Sequence, residues 1–313
     1  MTGLLDPQGP AAERIAGLWW LMFWLGLAVY VVVLALLVVP LLRGRRRAAA
    51  GEGEEIAART GNLLIWGGGV VVPVIILMVL VVASGTVGAQ VPWNRDNPGN
   101  QLTIDVTGHM FWWQVHYPQA GFETANEIVI PAGEPVHLRM TSVDVIHSFW
   151  VPQLHGKIDL TPGHGTTITI EANRPGVYRG QCAEFCGLSH AWMLITVDAR
   201  EREDFDQWLA EQAEPAAELT DGVLREGQQL FTSSSCVYCH TVRGHTAESH
   251  VGPDLTHFAS RRTIGAGALP NTRGHLAGWI VDPQASKPGN RMPGTDLDGA
   301  ELQLLLDYLE SLR

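Results

Sequence analysis

Two stretches without a formal charge decide what this chain can fold into. From Ile15 to Pro40 the only ionisable side chain is Tyr30, and Leu63 to Ala83 carries none. A helix rises about 1.5 Å per residue, so either run crosses a hydrocarbon layer of about 30 Å. A secretion signal is the rival reading of the first run. Its charged start is missing, its apolar core is too long, and no small-residue cleavage site follows. The sequence therefore predicts membrane helices at residues 15–40 and 63–83. Pro73 and the Gly67-Gly68-Gly69 triplet suit a membrane helix whose loosened backbone is covered by neighbours.

Arg43, Arg45, Arg46, Arg47 and Arg59 lie between the two runs. Short arginine-rich loops stay in the cytoplasm, so both chain ends and everything after residue 84 are expected outside it. Residues 1–90 then form a transmembrane helical hairpin. Neither span holds an Asp, Glu, Lys, Arg or His. Proton routes through a bilayer need such groups, so this chain alone conducts no protons.

Residues 84–100 read as a linker rich in Gly, Pro and Asn. Alternation follows: Leu102, Ile104 and Val106, then Val136, Leu138 and Met140, then Ile168 and Ile170, each set interleaved with polar residues. Further short runs at 111–116, 126–130, 145–151 and 192–198 complete an all-β sandwich or barrel over residues 100–200. Residues 200–212 form an amphipathic segment with Phe205, Trp208 and Leu209 on one face, and 213–218 a short linker. The formal net charge of −11 argues against nucleic acid and suits a basic protein partner.

The chain has four cysteines, in two close pairs. The first pair lies in Gly180-Gln-Cys182-Ala-Glu-Phe-Cys186-Gly-Leu-Ser-His190-Ala-Trp-Met193. Thiolate, imidazole and thioether are the ligands that copper selects in electron-transfer sites. A mononuclear site needs one cysteine, whereas two thiolates on one loop can bridge two copper ions, and His147 is the candidate second imidazole. A disulfide between Cys182 and Cys186 is the rival reading, and it leaves the spacing of His190 and Met193 unexplained.

The second pair lies in Cys236-Val-Tyr-Cys239-His240, the c-type haem attachment signature: the cysteines add to the vinyl groups and the histidine binds iron. Helix-like stretches flank it at Leu224–Phe231 and 298–312, the latter with a stripe of Leu302, Leu305, Leu306 and Leu309. Of seven methionines only Met292 lies beyond residue 193, which makes it the candidate sixth ligand. His245, His250, His257 and His275 are its rivals.

The pair His147-Ser-Phe and Cys182-x-x-x-Cys186-x-x-x-His190-x-x-Met193 resembles the dinuclear copper (CuA) site of cytochrome c oxidase subunit II, over roughly residues 15–200. The resemblance implies a cupredoxin-like Greek-key sandwich. It also implies that Cys182 and Cys186 bridge the coppers, that His147 and His190 bind one each, and that Met193 is axial on one. Glu184 would offer its backbone carbonyl to the other copper and its carboxylate to a magnesium shared with a partner. Residues 218–313 resemble an all-α class I cytochrome c domain, so the whole chain is similar to subunit II of a caa-type haem–copper oxidase.

Three departures from the family stand out. Leu63 occupies the region where a glutamate commonly admits protons, Phe111 replaces an electron-accepting tryptophan, and His164 replaces an arginine in the turn Lys157-Ile-Asp159-x-x-Pro162-Gly163. Phe111, Trp112 and Trp113 are the electron-entry candidates. His109, His116, His137, His155 and His164 are expected at the surface or hydrogen-bonded.

The function implied is an electron-transfer subunit of a respiratory terminal oxidase in the bacterial inner membrane. Haem c would pass electrons to the dinuclear copper and on to the haem of catalytic subunit I, with subunit III a further partner, and oxygen would be reduced to water there. The donor would be a reduced cytochrome c, another soluble carrier or a quinol-oxidising complex. No catalytic residue is expected on this chain. The rivals are the copper subunit of a nitric oxide reductase and a free-standing membrane-anchored carrier. A quinol oxidase subunit would lack the copper ligands.

Overall fold

The computed structural model describes residues 5–49, 61–91 and 101–313. Arg59, Glu54, Glu55, the side chains of Arg45, Arg46 and Arg47, and residues 92–100 of the expected linker lie outside the described residues.

The first apolar run is helix α1, Pro10–Ala49. It exceeds the expected 15–40 at both ends, beginning at a proline whose missing N–H costs nothing in a first turn. The second run opens as a π-helical segment, Leu63–Val71, and continues as α2, Val72–Gln90. Pro73 explains the widening. Its ring crowds the carbonyl four residues back and it has no N–H to give, so Val72 N–H bonds to Gly67 O in the looser register. Residues 84–90, expected as linker, are the end of α2. Thr86 Oγ1 donates to Ala83 O at 2.8 Å, a local bond that lets a hydroxyl sit in a helix.

Neither apolar window is buried within the protein. Leucines and valines such as Leu41 and Val81 stand exposed along both helices, a surface that lipid accommodates and water does not. Arg14 Nη1 donates to Gln90 O at 2.5 Å, which sets the start of α1 beside the end of α2, as an antiparallel hairpin requires.

The water-facing part begins with ten strands in two five-stranded sheets. Strands β1 (Thr103–His109), β2 (Trp112–Tyr117), β3 (Phe122–Ala125), β5 (Val136–Ser142) and β8 (Thr166–Ile170) form one, in the order β3-β2-β1-β5-β8. Strands β4 (Glu127–Pro131), β6 (His147–Trp150), β7 (Ile158–Leu160), β9 (Gly176–Cys182) and β10 (Leu194–Arg200) form the other, in the order β4-β10-β9-β6-β7. β1 pairs with β5, and β4 with β10, in parallel, so chain segments cross over between them as in a Greek key.

Alternation does the sorting. Trp113, Val115 and Tyr117 of β2 point inward while Trp112, Gln114 and His116 point outward. Tyr117 ties the sheets together, because its hydroxyl donates to Val129 O at 2.9 Å and accepts from Val129 N at 2.8 Å. Helix α3 (Arg202–Ala213) lays Trp208 and Leu209 against the same core, with Phe205 buried beside Trp208.

The C-terminal part is helical: α4 (Gly222–Ser233), α5 (Arg273–Val281), α6 (Pro283–Ser286) and α7 (Gly299–Ser311), with a small hairpin of β11 (Thr263–Ile264) and β12 (Leu269–Pro270). Asp298 and Glu301 form a capping box at the start of α7. Leu305, Leu306 and Leu309 are buried, and Leu302 packs at the edge of their cluster. Helices α4 and α7 cross at Gly227, where a Cβ would stand 2.3 Å from Leu304 O. The segment 213–218 is fastened rather than loose. Arg243 donates to Gln212 O and Ala213 O, and its own carbonyl accepts from Ala216 N.

Tyr117→Phe should leave the buried amide and carbonyl of Val129 without their side-chain partner and destabilise the sandwich by about 1–3 kcal/mol. Denaturant unfolding of the detergent-solubilised chain, followed by tryptophan fluorescence, measures it.

Candidate functional site

The metal-ligand candidates converge where three strands of one sheet end. β6 begins at His147, β9 ends at Cys182 and β10 begins just after Met193. Phe149 pairs with Cys182, and Ala183 N bonds to Ser148 O at 2.9 Å, so β6 carries His147 to the mouth of the 183–192 loop. Cys182 N bonds to Met193 O at 2.9 Å and closes that loop. Inside it a short 3-10 turn, His190–Trp192, aims His190 back at Cys186.

The cluster is tight. Cys182 Sγ lies 3.9 Å from Cys186 Sγ, 3.9 Å from His147 Nδ1 and 3.2 Å from Glu184 O. Cys186 Sγ lies 3.5 Å from His190 Nδ1 and 3.9 Å from Met193 Sδ. At 3.9 Å the sulfurs are not bonded, so the disulfide reading fails. His147, Cys182 and Cys186 are buried, with donor atoms all within 4.8 Å of one another. The hydrogen bond with Cys186 holds the Cys182 thiol well below the usual range and raises that of Cys186. Sulfur pair, imidazole pair, thioether and carbonyl fit a dinuclear copper site by their chemistry.

The supporting residues are mostly ones the sequence does not advertise. Asp144 Oδ1 lies 2.8 Å from His147 Nε2, and the Asp144 carboxylate also accepts from the amides of Met110 and Val145 at 2.8 Å. With Nε2 bonded to a carboxylate, Nδ1 is the nitrogen left to face the sulfurs. Burial works against a charged His147, but its bonds to Cys182 and Asp144 outweigh burial and raise its pKa. Asp144 stands three residues before a ligand histidine, and that spacing is the signal that could have found it. On β1, Gly108 makes room for the ring: a Cβ there would be 2.8 Å from His147 Cδ2.

The second pair of cysteines opens onto a cavity of about 320 Å³ lined by Cys236, Cys239, His240 and Met292. His240 Nδ1 lies 2.8 Å from Pro253 O, which leaves Nε2 for a metal, and a Cβ at Gly252 would press to 2.8 Å from His240 Cε1. Met292 is held by its own backbone, its amide on Asn290 Oδ1 at 2.8 Å. None of the rival ligands lines the cavity. His245 is engaged with Tyr308, His250 with Glu123, His257 with Glu214 O and His275 with Thr272. Arg261 also lines the wall, and its buried Nε has no partner among the described residues, which suits a group that carries carboxylates. The cavity and its donors fit a haem.

The sandwich supplies one wall of this cavity through His109, Met110, Phe111 and Trp112. Phe111 is buried, lining the cavity on one side and packing against Gly187 of the cysteine loop on the other. Gly187 has φ +127°, and a Cβ there would be 3.1 Å from the Phe111 ring. Trp112 stacks on His109, with centroids 4.3 Å apart. Trp113, the third electron-entry candidate, is not on this wall. Its pleat turns it into the core, 6.0 Å from the His147 ring. Of the histidines expected at the surface or hydrogen-bonded, His137 and His155 are buried, and His155 Nδ1 lies 3.1 Å from Gly156 O. Glu184 turns its carboxylate to Lys157 Nζ at 3.8 Å.

Two family profiles match the chain: "Cytochrome C oxidase subunit II, periplasmic domain" over residues 119–200 and "Cytochrome c" over residues 224–313. Cytochrome c oxidase subunit 2 of Alkalihalophilus pseudofirmus is 42% identical over 215 residues, covering 68% of this chain and 62% of that one. Its counterpart in Bacillus sp. strain PS3 is 34% identical over 226 residues, covering 68% and 63%. The chain thus spans a little over three-fifths of these relatives. The solved periplasmic domain of cytochrome oxidase subunit II from Bradyrhizobium japonicum is 32% identical, with a TM-score of 0.36 over 37% of this chain and 95% of that one.

Asp144→Asn should weaken metal binding at the sulfur cluster by about 10–100-fold, the usual cost of losing an outer partner of a ligand histidine. Competitive titration with a copper chelator reads it, and far-ultraviolet circular dichroism should stay unchanged.

Proposed function

We propose that the chain, which matches the cytochrome c oxidase subunit II periplasmic-domain profile and a cytochrome c profile behind it, is a subunit II that relays single electrons to the catalytic subunit of a membrane-bound terminal oxidase. Haem c and a dinuclear copper centre supply the two one-electron carriers, and reduction of oxygen to water takes place on the partner. The observation that carries the reading is the shared wall. Phe111 touches both the cysteine loop and the cavity beside Cys236 and Cys239, so the two redox sites are neighbours across one side chain.

In this reading Cys182, Cys186, His147, His190, Met193 and the Glu184 carbonyl would hold the dinuclear copper, which would supply a one-electron carrier. Cys236 and Cys239 would hold the haem, and His240 and Met292 would be its iron ligands. Burial of the cluster keeps water from the metal and lowers the rearrangement that accompanies each electron. His147 is held in one tautomer by Asp144, and Glu184 is the donor to a magnesium shared with subunit I. Phe111 and Trp112 line the route between the sites. The route is thus internal to the chain, and the family tryptophan that meets a diffusing donor is dispensable here.

Both soluble parts and both chain ends lie on the periplasmic face of the inner membrane in this assignment. Two facts support it beyond the arginines between the helices. Covalent haem attachment occurs outside the cytoplasm. Residues before the first span also bond to the sandwich that follows the second: Gln8 N donates to Gln153 O at 2.7 Å and Asn173 N to Gln8 O at 2.8 Å. An even number of crossings is the arrangement that permits this. Subunits I and III are the proposed membrane partners, and the acidic surface suits a basic cytochrome as donor.

Cys186→Ser should abolish the dinuclear centre, because a hydroxyl stays protonated and hard where a soft bridge is needed. A variant that kept two coppers and their mixed-valence signal would overturn the ligand assignment. Met292→Ala should lower the haem potential, since a thioether ligand raises it, and slow copper reduction by the physiological donor while the copper absorption is unchanged. Stopped-flow reduction of the intact complex tests this, and wild-type rates of copper reduction in that variant would mean that electrons bypass the haem.

A further inference from the structure

Lys287 is a buried lysine at the seam between the two redox sites. It sits on the loop that leads to Met292, only 2% exposed. Its Nζ donates to Phe111 O at 2.6 Å, Gly265 O at 2.7 Å and Trp192 O at 2.8 Å. An ammonium has three protons to give, and all three are given. None of the acceptors is a carboxylate. Burial pulls the lysine pKa down to about 7.

The origin of the acceptors matters more than their number. Phe111 and Trp192 belong to the sandwich, Trp192 standing directly before Met193, whereas Gly265 belongs to the haem module together with Lys287 itself. Around this point the loops are matched in detail. Ser189 Oγ donates to Pro288 O at 2.6 Å, and Gly289, at φ +80°, lies where a Cβ would come within 3.0 Å of Leu188. Apolar contact alone would hold the two surfaces together without fixing their register. A charge taken out of water is tolerated only while its directed bonds are all made, so this socket accepts one arrangement.

We propose that Lys287 is a positioning residue that pins the haem module to the sandwich in a single register and thereby fixes the separation of haem and copper. The inference rests on the relay reading, since a fixed separation serves electron transfer, whose rate falls steeply with distance. The module is then permanently docked, not a tethered carrier that visits the copper site.

The test uses the full chain in its membrane complex, with Lys287→Met, which keeps the length of the side chain and removes the charge and donors. Haem-to-copper transfer is followed after flash photoreduction at several solvent viscosities. Amide hydrogen exchange is measured over residues 109–112 and 187–192. Wild type should transfer at a rate independent of viscosity. The variant should transfer more slowly with a rate that falls as viscosity rises, and exchange in both segments should be at least about tenfold faster, the effect of losing one charge-assisted bond. Both absorption spectra should be unchanged. A loaded variant with wild-type exchange and viscosity-independent transfer overturns the proposal. Should Lys287→Met fail to accumulate, Lys287→Gln keeps a polar donor without the charge, and wild-type exchange with viscosity-independent transfer in that variant overturns the proposal equally. Failure of the relay reading looks different: metal and haem analysis would find copper or haem missing from wild type, while the exchange comparison would still report on the pin.

Discussion

The amide of Cys182 donates to the carbonyl of Met193, and that bond closes the loop carrying both cysteines and His190. A loop of this length holds its side chains only as well as its ends are held. Here the ends are neighbouring strands of one sheet, β9 and β10, and β6 on the other side of β9 delivers the remaining imidazole. Six donor groups are thereby gathered from two stretches of sequence with no contribution from a flexible tail. The sandwich beneath gives them rigidity. Tyr117 links its two sheets, and Trp113 packs edge-on beside His147. Copper centres that exchange electrons gain from this, because a ligand set that does not move costs nothing to rearrange.

Much of this was legible in the sequence because the signals are local. Charge-free runs mark α1 and α2, the Cys-His-Met spacing marks one cluster, and Cys-x-x-Cys-His marks the other. Strand β9 was missed although it delivers Cys182. Its sequence, Gly-Val-Tyr-Arg-Gly-Gln-Cys, alternates weakly, and Gly180 is there for close packing, since a Cβ would stand 2.6 Å from Trp150 O. Helix α5 was missed for a similar reason: Gly274 and Gly278 dilute its pattern, and only the Thr272 cap announces it. The end of α2 reads as a linker because Ser, Gly and Thr favour turns unless a membrane withholds the water that would compete for the backbone.

What no local pattern reveals is the seam. Lys287 reads as a solvated lysine in a turn, Asp144 as one more acid on an acidic sandwich, and Phe111 as a lost tryptophan. Each acquires its meaning from a partner far along the chain. Arg291, next to Met292, reaches to 3.9 Å from Asp144, whose other oxygen holds His147. Residues beside Met292 thus brace the cysteine–histidine cluster, and the segment 213–218 is bound down at Arg243 instead of swinging free. The departure at Phe111 makes sense in that setting, because its face is covered by the chain's own module.

The short segment ahead of α1 has a consequence for biogenesis. Gln8 exchanges backbone bonds with Gln153 and Asn173, and Gly9 fits where a Cβ would stand 2.3 Å from Glu171 O. These partners lie far along the chain, so the segment ahead of α1 can dock only once the sandwich has folded around its core. In the proposed topology that makes its docking a late event of maturation, and a sandwich that has not folded leaves Gln8 and Gly9 uncovered.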